Sequence, residues 1–593
     1  MPSVFLRFTN SLTDTRPIMQ PSTSPPCVPY GTDDIVTSFA VSGGGTSDDR
    51  VEGVAVDGAG AVVAAGWFTS SPATFGGVEL TNAGGIDALL WKESADGTTL
   101  WAVRGGGTDN DKLSGVAVDA AGAMVAAGYF SNSSTFGGVA LTNAGDYHDA
   151  VVWKMSADGT TLWAVRGGGT SDDELSGVVV DGVGAVVASG HFESSTATFG
   201  GVALTNAMTT GWGAEAVVWK MSADGTTLWA VRGGGSDSGY TQAIAVDGSN
   251  AVVAAGHFKD GTATFGSVAL TSTGNYDAVV WKMSADGTTL WAVRGGGTGN
   301  DKVFGVAVDA AGAVVAAGDL ASSESTFGGV ALTTAGANEA VVWKMSADGT
   351  TLWAVLGGGT GDDYMRGIAA DASNAVVAAG FFDSTDAMFG GVALTTAGSR
   401  DAVVWKMSAD GTTLWAVRGG ATSDDSLHAM AVDGTGTVVA AGEIQSSTAT
   451  FGDVALTIVG DSDAVVWKVS DVAEFTHCVY DACSTLLSPF HLRDHVETRA
   501  LHRGSPACSC FQASPYICLP VLTRLVPMSV HADYGAEPLA TAAEPLAAAA
   551  ESPASRAASV AAEPPAISES SSAVTAVIRT RDNVGRQRGR RGH

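Results

Sequence analysis

Cysteine is missing from the middle of this 593-residue chain: Cys27 stands near the start, Cys478, Cys483, Cys508, Cys510 and Cys518 stand near the end, and none lies between. Disulfides therefore cannot hold that body together. Long apolar runs are missing too. The opening Met1-Pro-Ser-Val-Phe-Leu-Arg-Phe8 is far shorter than a secretory apolar region, and no stretch approaches about 18 uninterrupted apolar residues, so neither a signal peptide nor a membrane span is expected. Basic residues are scarce: 31 Lys+Arg face 61 Asp+Glu, a net charge of −30, with nearly all of the excess before residue 471. So acidic a body repels nucleic acid and anionic membranes, and favours cations, basic partners or plain solubility. Nor does any window sustain the 3.6-residue periodicity of an amphipathic helix.

What is present is repetition. A Trp-Lys element recurs at Trp91, Trp153, Trp219, Trp281, Trp343, Trp405 and Trp467, spaced by 62 residues and once by 66. A Leu-Trp-Ala-Val element recurs at Trp101, Trp163, Trp229, Trp291, Trp353 and Trp415, with a divergent copy beginning at Phe39. Each unit holds four short segments rich in Val, Trp and small apolar residues, exemplified by Leu100–Arg104, Gly115–Asp119, Met124–Phe130 and Ala150–Met155. Gly and Asp punctuate them, and such segments are strands. Four strands per unit, with a long Ser/Thr/Gly connection after the second, predict an all-β, seven-bladed propeller of four-stranded blades. A unit of a repeat array needs to contact only its neighbours, so the chain's length is no obstacle.

The turns are locally encoded. In Ser156-Ala-Asp-Gly-Thr160 and its copies, Asp then Gly suits a type I turn closed by a left-handed residue, a three-residue hairpin loop with a bulge. Counting back from Ser156 opposite Thr160 places Trp153 opposite Trp163, so a cross-strand Trp pair is expected in each hairpin. The second turn starts at Asp57, Asp247 or Asp371 and ends on Gly60, Asn250 or Asn374, residues that tolerate the left-handed region. The array opens on a strand of the Leu-Trp-Ala-Val type, Ser38–Val41, and closes on Val465–Lys468 of the Trp-Lys type. Each end supplies half of one hairpin, so the first strand is expected to pair with the last blade and close the ring, leaving no open edge.

The expected organisation is a disordered leader at 1–35, the propeller at 36–469, an irregular Cys/His-containing segment at 470–531, and at 532–593 a disordered Ala/Glu/Pro/Ser tract ending in a basic tail. His477, Cys478, Cys483, His491, His495, Cys508 and Cys510 match no recurring zinc spacing. The Arg-Gly tail reads as solvated rather than as a nucleic-acid contact.

Residues 36–469 resemble the SBBP repeat family of seven-bladed β-propellers. The motifs that carry the likeness are Gly357-Gly-Gly-Thr-Gly-Asp-Asp363, Gly305-Val-Ala-Val-Asp309 and Asp277-Ala-Val-Val-Trp-Lys282. The resemblance implies an extracellular or cell-surface propeller and supplies no catalytic residues; the sequence by itself leaves the compartment unknown. The 62-residue unit and the recurrent Trp depart from the family pattern.

With Gly-Val-Ala-Val innermost and Trp-Ala-Val-Arg outermost, the long Thr-Phe-Gly-Gly connections share a face with the Gly-rich acidic loops, while the tight turns lie opposite. Equivalent positions on that variable-loop face are Trp67, Tyr129, His191, His257, Asp319, Phe381 and Glu443, the candidate binding residues, because variable loops on a rigid scaffold carry recognition. Asp48, Asp49, Asp172, Asp173, Asp362, Asp363, Asp424 and Asp425 are candidate calcium ligands, although their loops lack the alternating spacing of a dedicated site and turn capping accounts for them. No other cofactor is indicated. Catalytic carboxylates would have to be singled out by environment, and these repeat around a ring. His148, His191, His257 and His428 sit in different contexts and define no common metal site. The expected function is a non-catalytic binding scaffold, a monomer engaging protein or glycan through the variable face. The alternatives are a structural or adhesive module, or an enzyme with its site at the channel mouth.

Overall fold

A computed structural model describes residues 35–471 except 208–212, 236 and 260, and no helix occurs among the described residues. The expectations for the leader, the Cys/His segment, the Ala/Glu/Pro/Ser tract and the basic tail concern residues outside the described ones.

Seven antiparallel sheets are arranged as blades. In the second blade the strands, from the axis outwards, are β1 (Lys112–Val118), β2 (Met124–Ser131), β3 (His148–Met155) and β4 (Thr161–Gly168), followed by β5 (Thr196–Phe199) and β6 (Val202–Thr205). The four long strands are those read from the sequence. The outermost pair corrects it: the long connection is no loop but a β-hairpin, which leaves its own repeat and adds to the outer edge of the preceding blade through Gly167 opposite Phe199 and Gly168 opposite Thr198. Every sheet is therefore six-stranded, and Trp-Ala-Val-Arg is fourth rather than last.

The hairpin's Phe is the reason it crosses. Phe136, Phe199 and their equivalents are fully buried and meet the buried Trp of their own repeat, with ring centroids 5.5 Å apart for Phe136–Trp153 and 5.4 Å for Phe199–Trp219. Such contacts add about 0.5–1.5 kcal/mol to area burial. The outer strand admits the ring only because it carries glycine there: a Cβ on Gly167 would lie 2.3 Å from Phe199 Cδ1.

The expected Trp–Trp pair does not form. The turn itself is as read, with the Ser156 N–H donating to the Thr160 carbonyl at 2.8 Å and Gly159 at φ 87°. Beyond it, Met155 faces Thr161 but Lys154 faces Trp163, leaving Leu162 as an extra residue. This bulge shifts the register by one, so Trp153 faces Ala164, and the Trp163 indole donates to the Ala223 carbonyl in the next blade's turn at 3.0 Å.

Lysine of the Trp-Lys element is the second staple. Lys220 Nζ lies 2.8 Å from Asp181 of the inner turn and 3.2 Å from the Ala285 carbonyl of the neighbouring blade, and each of the seven lysines repeats the Asp contact. These lysines are nearly inaccessible, so each holds two elements with a charge that would otherwise be buried alone.

The ring closes as expected. Ile35–Gly44 pairs with Asp463–Asp471 from Ile35 opposite Asp471 to Gly43 opposite Ala464, and the Trp467 indole donates to Thr37 Oγ1 at 3.1 Å. The last blade is thus built from both ends of the described chain.

Candidate functional site

The inner strand of every blade bulges at one residue, between positions such as Leu175 and Gly177. The second strand makes room for it with a glycine: a Cβ on Gly190 would sit 2.0 Å from the Glu174 carbonyl oxygen, and one on Gly66 2.0 Å from that of Arg50. The bulged residue turns towards the axis. Glu52, Ser114, Ser176, Gln242, Phe304, Arg366 and His428, one from each repeat, line a cavity of about 190 Å³ together with Lys112 and Glu174. Seven equivalent positions thus carry six different residue types in an array whose scaffold positions barely vary.

Sequence reasoning missed this ring. Its signal was the glycine inside an otherwise apolar strand, as in Val186-Val-Ala-Ser-Gly-His-Phe192, which marks a bulge on the partner. The seven candidate binding residues form the adjacent layer. Trp67, Tyr129, His191, His257, Asp319, Phe381 and Glu443 stand opposite Arg50, Lys112, Glu174, Tyr240, Lys302, Tyr364 and Ser426 of the inner strands. His257, Asp319, Phe381 and Glu443 are buried within it.

Around the mouth the chemistry falls into sectors. Across the ring closure, Arg50 makes a forked ion pair with Glu443 at 2.6 Å, while Glu52 accepts from the Trp67 indole at 3.1 Å and pairs with Lys112 at 3.2 Å. Burial opposes ionisation of Glu52, but His428, Lys112 and Arg50 outweigh it and hold its carboxyl at about 2. Next come rings. Tyr129 packs on His148 at 4.3 Å, and His191, Tyr240, His257 and Tyr276 follow one another at 4.9, 5.1 and 5.1 Å. Burial pushes His191 down to about 4 and His257 down to about 3, so both are neutral imidazoles near pH 7. The third sector is cationic and aromatic: the Arg366 guanidinium carbon lies 5.4 Å from the Phe304 ring and 5.6 Å from Phe381, and that of Arg400 4.2 Å from Phe381. Asp319 is nearby, its carboxyl pushed up to about 7 by burial.

The candidate calcium ligands divide by strand alternation. Asp49, Asp173, Asp363 and Asp425 are buried and bind their own loops: Asp173 accepts from the Gly169 N–H at 2.6 Å and the Ser194 hydroxyl at 2.7 Å, Asp363 from Gly359 at 2.8 Å and Ser384 at 2.7 Å. Asp49 and Asp425 repeat the pattern with Ser70 and Ser446, both at 2.6 Å. Their neighbours point away: Asp172 meets His148 Nδ1 at 2.9 Å, Asp362 accepts from the Asn338 amide at 2.6 Å, Asp48 meets the Ser462 hydroxyl at 3.2 Å, and the Asp424 carbonyl accepts from Gln445. Among the described residues no three His, Cys, Asp or Glu side chains converge in a metal-ligating group. The same bonds show that the acidic loops and the hairpin connections share one face, since the Thr69 N–H donates to the Asp48 carbonyl at 3.0 Å.

A larger cavity of about 360 Å³ lies at the outer rim beside Ile35–Thr37, Gly452 and Asp453. Its lining holds one charged side chain and no convergent polar set.

No family model matches the chain. The regulatory protein FlaEY of Caulobacter vibrioides is 29% identical over 263 residues, which are 41% of this chain and 27% of that protein. This chain therefore matches about a quarter of its relative's length. Among solved structures, the WD40 β-propeller domain of Doa1 has 10% identity and a TM-score of 0.38, covering 74% of this chain and 97% of that one. YCF48 bound to D1 peptide has 8% identity and a TM-score of 0.33, covering 75% and 99%. The propeller architecture of the present chain rests on its own sheet pairing.

Proposed function

We propose that this chain is a non-catalytic binding scaffold of SBBP-type repeats that recognises a protein partner at the mouth of its central channel. The observation that carries the reading is the contrast within one repeat: Trp, Lys, Phe and Gly of the scaffold recur in blade after blade, whereas the bulged ring and the layer of Trp67, Tyr129, His191, His257, Asp319, Phe381 and Glu443 each hold six residue types in seven positions. A packing requirement would act equally on equivalent positions. Differing side chains gathered on one rigid rim present a composite surface, of which aromatic and Arg groups are the usual anchors.

The test is a peptide array and a glycan array probed with the full chain, repeated with Trp67→Ala, Phe304→Ala and Arg366→Ala. Peptide ligands that lose binding about tenfold or more in these variants, at unchanged melting temperature, are the expected result. Ligands bound equally by all the variants would overturn it, and ring-dependent binding confined to glycans would replace the protein partner by a carbohydrate.

A further inference from the structure

The chain carries a net charge of −30, yet two of its arginines at the mouth are not neutralised. Among the described residues no carboxylate lies within ion-pairing distance of Arg366 or Arg400, no hydrogen bond engages either guanidinium, and both Nε atoms are buried without a partner. Burial pulls the Arg366 pKa below its ordinary value, the sign of a cation held in a place that disfavours it. The acids in reach are committed elsewhere: Glu52 to Lys112 and Trp67, Asp362 to Asn338. Asp319, sunk beneath the rim and poorly ionised, does not supply a full counter-charge. Both side chains are half-buried, with Nε shut off from water and the terminal nitrogens not so enclosed, an arrangement that leaves a guanidinium able to take an anion at its open end. Phe381 between the two arginines and Phe304 beside Arg366 hold the guanidinium planes in place.

We propose that Arg366 and Arg400, braced on Phe304 and Phe381, receive a carboxylate side chain of a peptide segment of the partner. The inference rests on the reading of the channel mouth as a binding site and names the chemistry that site selects. A guanidinium fork matches the flat carboxylate in a bidentate manner. The cavity, at about 190 Å³, is smaller than the roughly 300–1,000 Å³ that hold a free small ligand, which suits one side chain entering while its backbone rests on the rim. The acidity of the whole body repels anions in general, so the recognition is local: partial charge on Asp319 disfavours a phosphate dianion relative to one monovalent carboxylate on a segment with few other negative charges.

The experiment uses the full chain and a fluorescein-labelled Ser/Gly decapeptide with a single central Glu, read by fluorescence polarisation, beside the same peptide with Gln in place of Glu. Glutarate and inorganic phosphate serve as competitors. The expected result is binding of the Glu peptide, weakened about tenfold or more by the Gln replacement and by Arg366→Gln or Arg400→Gln, with Val183→Ser on the opposite face unchanged. Melting temperatures of all variants confirm that they fold. Equal binding of the Glu and Gln peptides, unaltered binding by the arginine variants, or no binding of the Glu peptide overturns the proposal. Phosphate displacing the peptide better than glutarate overturns the carboxylate assignment, and glutarate binding as tightly as the peptide overturns the peptide source. Ring-dependent ligands on the array without glutamate dependence would sink this inference while leaving the scaffold reading intact.

Discussion

Glu93 shows how one residue can depart from its repeat. Its equivalents Met155, Met221, Met283, Met345 and Met407 are buried methionines, whereas Glu93 is buried with both carboxylate oxygens lacking partners. Burial pushes its carboxyl from 4.5 up to about 8. The proton is lost from the unfolded chain first, so the folded state is at no disadvantage below about pH 4.5, and stability falls as pH rises from there towards about 8. Near pH 7 that penalty is about 3 kcal/mol. Glu93→Met is therefore expected to raise the unfolding free energy by about that amount near pH 7 in urea titrations, with the gain shrinking near pH 4. A gain independent of pH would show that Glu93 is not held protonated. The scaffold lysines differ because each buried ammonium meets an inner-turn carboxylate, so removing that Asp would strand a charge, whereas Glu93, without a partner, keeps its proton instead.

At the scale of the element, the bulge is the feature on which the candidate site depends. It exists because Gly190 and its counterparts lack a Cβ, and the bulge in turn is what aims position 176 and its equivalents at the axis. Gly190→Ala would drive a methyl into the Glu174 carbonyl at 2.0 Å, against backbone that has nowhere to move. A loss of about 3 kcal/mol or more is expected from chemical denaturation, whereas Gly58→Ala, whose Cβ would meet nothing within 4 Å, stays within about 0.5 kcal/mol. Comparable losses would mean that the bulge is not set by that contact. The four long strands and both tight turns were legible because they follow from local rules: alternating burial, Asp-Gly turns, positive φ at glycine. The Trp register was not legible, since one extra residue at Leu162 reverses the outcome and no local preference announces it. Nor was the crossing hairpin, whose Ser/Thr/Gly composition reads as loop until Phe199 finds Trp219 between blades.

For the whole molecule, closure is the property that no single blade possesses. The last sheet takes its fourth strand from Ile35–Gly44, and Arg50–Glu443, Trp467–Thr37 and Lys468–Ala95 stitch the same seam. Removing residues 35–44 should expose the edge of Asp463–Asp471 and lower the melting temperature far more than removing 472–593, with concentration-dependent association as a second readout. Equal effects of the two deletions would count against closure. The same seam places Arg50 beside Glu443 and Glu52 beside His428, so those two contacts of the site's first sector exist only in the closed ring. Repeat number, strand content, turn chemistry and the complementary ends were determined by the sequence alone, because each depends on neighbours a few residues apart or on the period itself. Tertiary structure decided which of the variable residues meet. Arg366 and Phe381 share one hairpin and Arg400 just precedes the next strand, but Phe304 comes from the preceding repeat, and only the convergence of the blades at the axis, with the bulged residue of each inner strand turned inward, brings Phe304 and Arg366 together at the mouth of the channel.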